Sequence, residues 1–140
     1  MGKKTKVVLD TNIWVSIFFN RVLGVEFGRL FSGKKIEVFV SEEILKEIAR
    51  VLEYPKIKSI LEKAGVSSRD VLEEIVAKSK LVNPKSKLNV VKDSEDNKFL
   101  ECALECKADY IVSGDKHLLE IKEFGGIKIV SAREFLKSCR

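Results

Sequence analysis

The sequence predicts an α/β domain in which a parallel sheet is covered by helices on both faces. Three observations carry that expectation. Short β-branched runs such as KVVL, IEVFV and IKIV are separated by longer segments whose apolar residues recur at helical spacing. KVVL is apolar on consecutive positions, as a strand buried on both faces requires. The 140 residues, 45% apolar and 34% charged, suit one compact domain with a densely ionic surface.

The elements follow in order. Residues 6–9 form the first strand, which ends on Asp10. Residues 12–19 (NIWVSIFF) are apolar almost all round, so this helix is expected to be buried, with Thr11 and Asn12 as candidate caps. A second helix covers 22–31 and stops at Ser32-Gly33. The second strand, 36–40, runs into Ser41, an N-cap for a helix over 42–52. Pro55 punctuates the chain; helices follow over 56–63 and, after the break from Gly65 to Ser68, over 69–80. A strand interrupted by Pro84 is expected within 81–91. Asp93 to Asp96 opens a helix running to about Lys107, and a strand over 110–113 leads into a short helix over 116–120. Gly125-Gly126 marks a turn before the last strand, 127–130, and the last helix, 132–137.

Composition narrows the chemistry. A single histidine, His117, excludes any mechanism that needs two imidazoles. Cys102, Cys106 and Cys139 cannot all pair within the chain, and they read as reduced, packed thiols of an intracellular protein. The opening MGKKTK has no apolar stretch behind its charges, and no run reaches membrane-spanning length. A cytoplasmic protein without a membrane role is expected. No G-x-S-x-G, Walker-type lysine or G-x-G-x-x-G spacing occurs. The 26 Lys and Arg against 21 Asp and Glu give a net charge of +5, which permits a polyanionic partner.

Four carboxylates converge. In parallel sheets ligands gather at the carboxyl ends of the strands, and Asp10 and Asp115 directly follow strands there. On the helix over 42–52, Ile44, Leu45, Ile48, Val51 and Leu52 form one apolar stripe at about 100° per residue. Glu47 borders that stripe, whereas Glu42, Glu43 and Glu53 point away. On the later helix Phe99, Leu100, Ala103 and Cys106 share a face with Asp96, while Glu95, Asn97 and Lys98 are expected off it. Singly, each acid reads as a cap or a solvated side chain. Together they repel, and an oxygen-only cluster without histidine or cysteine suits Mg²⁺ or Mn²⁺.

VVLDTNIWVSIFF, SEEILKEIARVL and DSEDNKFLECALECKADYIVSGDKHLL, in that order, resemble a PIN domain. More narrowly they resemble the VapC-like toxins of prokaryotic toxin–antitoxin pairs. The resemblance spans 7–119, and IKIVSAREFL fits the family's last strand and helix. It implies a three-layer α/β/α sandwich with a five-stranded parallel sheet in the order 3-2-1-4-5, and a metal-dependent ribonuclease. By position Asp10, Glu47, Asp96 and Asp115 match the family's four acids, and Asp93 matches a secondary acidic position. The resemblance also implies an RNA substrate, a homodimer and an antitoxin partner.

Accordingly Asp10, Asp96 and Asp115 are expected to bind Mg²⁺ or Mn²⁺, with Glu47 completing the cluster or positioning water. Thr11 and Asn12, beside Asp10, and Ser113, beside Asp115, are secondary candidates. Lys3, Lys4, Lys6, Lys34, Lys35, Lys85, Lys87, Lys92 and Lys116 are candidates to meet a phosphate backbone. The alternative is a PIN fold that binds RNA or a partner without turnover. Phosphotransfer proteins with an aspartate after strand one fit less well, because D-T-N lacks a second acid at Asn12 and strand two ends in Val40-Ser41.

Overall fold

A computed structural model of the chain describes residues 3–91 and 94–139. β1 (Thr5–Leu9) leads into α1 (Thr11–Phe19) and α2 (Arg21–Ser32), then β2 (Ile36–Ser41) and α3 (Glu42–Leu52). α4 (Pro55–Ala64), α5 (Ser68–Lys78) and β3 (Ser79–Val82) complete the first half. A 3₁₀ turn (Ser94–Asp96) opens α6 (Asn97–Cys106), followed by β4 (Tyr110–Val112), α7 (Lys116–Leu119), β5 (Glu123–Phe124), β6 (Ile127–Val130) and α8 (Ala132–Ser138).

The sheet order is β3-β2-β1-β4-β6-β5, and all pairings except β5 with β6 are parallel. The five parallel strands thus stand in the expected order 3-2-1-4-5, flanked by helices. The sixth strand is an addition. Gly125 (φ 56°) and Gly126 (φ 83°) both occupy left-handed backbone, which turns the chain tightly enough for two residues to pair back on β6.

Val7, Val8 and Leu9 of β1 are fully buried, as are Ile111 and Val112 beside them. α6 lies against β1, β2, β3 and β4. Phe27 of α2 stacks on Phe135 of α8, whose ring meets Tyr110 edge-on with centroids 5.4 Å apart. α2 approaches α1 closely at Gly24, where a Cβ would stand 2.8 Å from the Ile17 carbonyl oxygen.

Caps explain most boundaries. Ser41 Oγ accepts from the Ile44 N–H, Pro55 occupies the first turn of α4, and Ser67 with Asp70 forms a reciprocal capping box on α5. The cap of α1 is Asp10, not Thr11 or Asn12. Lys34 (φ 52°) and Lys107 (φ 57°) take left-handed backbone before β2 and β4, where glycine costs less.

The strand expected within 81–91 is shorter and earlier. Only Ser79–Val82 pairs with β2, and α5 ends at Lys78 rather than position 80. Beyond Val82 the amides find side chains of α6 instead of a strand. Lys85 N–H donates to Glu105, Leu88 N–H to Glu101, and both Val90 and Val91 N–H to Asn97 Oδ1, each at 2.9 Å. Asn97, Glu101 and Glu105 are four residues apart, so one helix face fastens the whole segment.

Candidate active site

β1 is the point from which strand order runs both ways, with β2 on one side and β4 on the other. Asp10 leaves the carboxyl end of β1 and Asp115 follows β4, so adjacent strands deliver two acids to the crevice where such sheets bind ligands. Asp10 is only 3% exposed. Its Oδ1 accepts from the Ile13 N–H at 2.9 Å; its Oδ2 accepts from the Ser113 hydroxyl and from the Gly114 N–H at 3.3 Å. Ser113 Oγ in turn accepts from the Asp115 N–H at 2.9 Å.

Burial pushes the Asp10 carboxyl above its ordinary range, and the charge of Asp115 pushes the same way. The hydrogen bonds from Ser113, Ile13 and Gly114 offset only part of this. Asp115 does not use its side chain to cap α7, and among the described residues its buried Oδ2 has no hydrogen-bond partner. A carboxylate oxygen in that position is costly to desolvate without a donor or a cation.

Glu47 reaches the same region from α3. Its Oε2 accepts from the Thr11 hydroxyl, next to Asp10, and its Oε1 lies 2.8 Å from Lys98 Nζ and 3.7 Å from Arg50. Lys98 also meets Glu95 at 3.0 Å. Burial alone would lower the Lys98 pKa, but hydrogen bonds to Glu47 and Glu95 hold it above its ordinary value. Asp96 is half-buried at the start of α6, Asn12 is exposed and Thr11 and Ser113 are buried. Asp93 and Lys92 lie outside the described residues.

Asp10 and Asp115 therefore form one pair, and Glu47 joins through Thr11. Among the described residues no three His, Cys, Asp or Glu side chains are gathered as a ligand set. Asn97 and Lys98, expected off the buried face of their helix, are both buried: the segment after β3 lies over Asn97, and Lys98 turns to Glu47 of α3. The one sequence signal for Lys98 was its spacing of three from Glu95. Of the lysines expected near substrate, Lys3, Lys4, Lys34 and Lys35 precede strands and so stand at the other end of the sheet, and Lys87 pairs with Glu43 at 2.7 Å.

The family model described as PIN domain matches residues 6–117, the stretch that carries all four acids. The chain belongs to the PIN domain family. PIN domains are generally nucleases, and those nucleases generally need divalent metals. Uncharacterized protein MJ1680 of Methanocaldococcus jannaschii is 36% identical over 124 residues, covering 86% of this PIN chain and 77% of the relative. Among solved structures, a chain of VapBC2 from Rickettsia felis, crystallised bound to a DNA fragment from its promoter, superposes with a TM-score of 0.60. It is 14% identical and covers 89% of this chain and 97% of that one. The T. brucei RRP44 PIN domain gives a TM-score of 0.47 at 15% identity, covering 98% and 82%. No helix among the described residues is long and apolar enough to cross a membrane.

Proposed function

We propose that this PIN domain is a metal-dependent endoribonuclease that cuts phosphodiester bonds at the Asp10–Asp115 crevice. The observation that carries the reading is the buried Oδ2 of Asp115, which has no hydrogen-bond partner among the described residues, beside an Asp10 carboxyl whose ionisation is disfavoured. Buried anionic oxygens of this kind fit a hard divalent cation, and an all-oxygen donor set suits Mg²⁺ or Mn²⁺. Asp10, Asp115 and Asp96 would hold the ion, with Glu47 completing the set or orienting water. When bound, such an ion activates water and neutralises charge on the phosphate.

The chain's own groups prepare that chemistry. Ser113, Gly114 and Ile13 fix both oxygens of Asp10, so it is oriented before substrate arrives. Thr11 ties Glu47 to the same corner, and Lys98 balances its charge. Water attacks phosphorus in line, the bond to the 3′ oxygen breaks and the leaving oxygen takes a proton. The products are a 5′-phosphate and a 3′-hydroxyl. A single histidine cannot run the two-imidazole route through the 2′-hydroxyl.

A toxin role with an antitoxin partner, a homodimer and a cytoplasmic site of action belong to the same reading. They are supported by the sequence resemblance to VapC-like toxins, and the VapBC2 fold is compatible with them. The test is end-group analysis of RNA incubated with Mn²⁺, wild type beside Asp10→Asn. Wild type should leave 5′-phosphate ends and the variant should leave RNA intact. Cyclic 2′,3′-phosphate products, or undiminished cleavage by the variant, would overturn the assignment; RNA bound but never cut would favour the binding-only alternative.

A further inference from the structure

Parallel strands sort charge by position. Residues that follow strands collect at one pole of the sheet and residues that precede them collect at the other. Here the acids follow, and Lys3, Lys4, Lys34, Lys35 and Lys107 precede β1, β2 and β4; Lys128 lies near the start of β6. All six are exposed. Among the described residues none of the six is in a salt bridge; Lys56, Lys63, Lys85, Lys116, Lys122 and Lys137 stand outside the salt bridges too, so what sets the six apart is their gathering at one pole.

The lysine pole is hollowed. Two adjoining cavities of about 520 and 400 Å³ share Lys3, Lys4, Thr5 and Tyr110 as walls. The acid on this lining, Asp109, has its Oδ2 engaged by the Lys6 N–H at 2.9 Å. Glu37, whose charge Lys4 and Lys6 also feel, is bonded to Lys80. Lys34 and Lys107 keep an ammonium where the left-handed backbone favours glycine, so the turns do not explain them.

We propose that this pole is a second phosphate-binding surface, which holds a single RNA strand at a distance from the acids. Exposed lysines gathered around a hollow are what the phosphates of a strand's backbone take. The five residues of β1 separate the poles by about 15 Å, so a longer strand touches both and a very short one touches only the acids. RNA as the ligand rests on the nuclease reading above.

The test measures binding by fluorescence anisotropy across a salt series, in an Asp10→Asn background, with single strands of about 2 nucleotides, too short to span the poles, and of about 30 nucleotides. The comparison is the same protein carrying Lys4→Ala, Lys34→Gly, Lys35→Ala and Lys107→Gly. The long strand should bind at least about tenfold more weakly and its log–log salt slope should flatten by about 3, while the short strand binds as before. An unchanged long-strand affinity and slope overturn the proposal, as does equal weakening of both strands. Binding of polyglutamate in place of RNA overturns it in favour of an acidic protein partner. If the lysine substitutions act as expected but wild type leaves RNA uncut in Mn²⁺, the lysine pole stands and the nuclease reading falls.

Discussion

Lys98 Nζ lies 2.8 Å from Glu47 Oε1 and 3.0 Å from Glu95 Oε2, so one buried ammonium bridges α3 to the start of α6. Removing it leaves Glu47 among packed neighbours with only the longer, 3.7 Å contact to Arg50 as counter-charge. Lys98→Met should cost about 2 kcal/mol in urea unfolding, and Lys98→Arg should restore part of this. Because the Lys98 pKa is raised, the pair's contribution is complete at neutral pH and declines only as strongly alkaline pH removes the proton.

Asp10 behaves oppositely. Its raised pKa means the folded chain binds a proton more readily than the unfolded one. Stability should therefore fall as pH rises from the ordinary aspartate range to the folded value, and level off above it. In chelator, urea midpoints of Asp10→Asn should lack that fall. A variant that tracks wild type across the window would contradict the account.

Divalent ions should reverse the cost of keeping the acids together. At about 100 times its dissociation constant, Mg²⁺ or Mn²⁺ should stabilise wild type by roughly 2.7 kcal/mol in a thermal shift. Asp10→Asn and Asp115→Asn should respond little.

Ser113 donates to Asp10 while accepting from the Asp115 N–H, and so sets the spacing of the pair. Ser113→Ala should lower kcat by about tenfold, the equivalent of one charge-assisted hydrogen bond, with the fold retained by circular dichroism.

Asn97 Oδ1 accepts two backbone N–H groups from Val90 and Val91. Asn97→Ala strands both donors and should cost about 1–3 kcal/mol. Hydrogen exchange should accelerate at those two amides and at Leu88, while the amides of β1 stay protected.

That segment also marks where the sequence stops being readable. The strands of the central sheet declare themselves because Val7, Val8, Ile111 and Ile129 must bury both faces. Asp10 and Asp115 follow from the rule that crevices open at strand ends. A strand is expected within 81–91, yet the amides of Leu88, Val90 and Val91 run to Glu101 and Asn97, partners that become visible only once α6 is placed beside them. Lys98, which a helical wheel assigns to solvent, is buried with its ammonium on Glu47 of α3, a second packed face that the wheel does not count.

Two thiols sit on the helix so enclosed. Cys102 is fully buried and its pKa is pushed far upward by desolvation; that of Cys106 is pushed up to about 11 by the same cause. Neither forms a thiolate at neutral pH while α6 stays seated. Their alkylation rate is therefore a clock for the unseating of that helix, and with it for how often the corner holding Asp96 and Lys98 comes apart. A cation or an RNA strand that closes the crevice should slow the clock, which lets occupancy be read without any bond being cut.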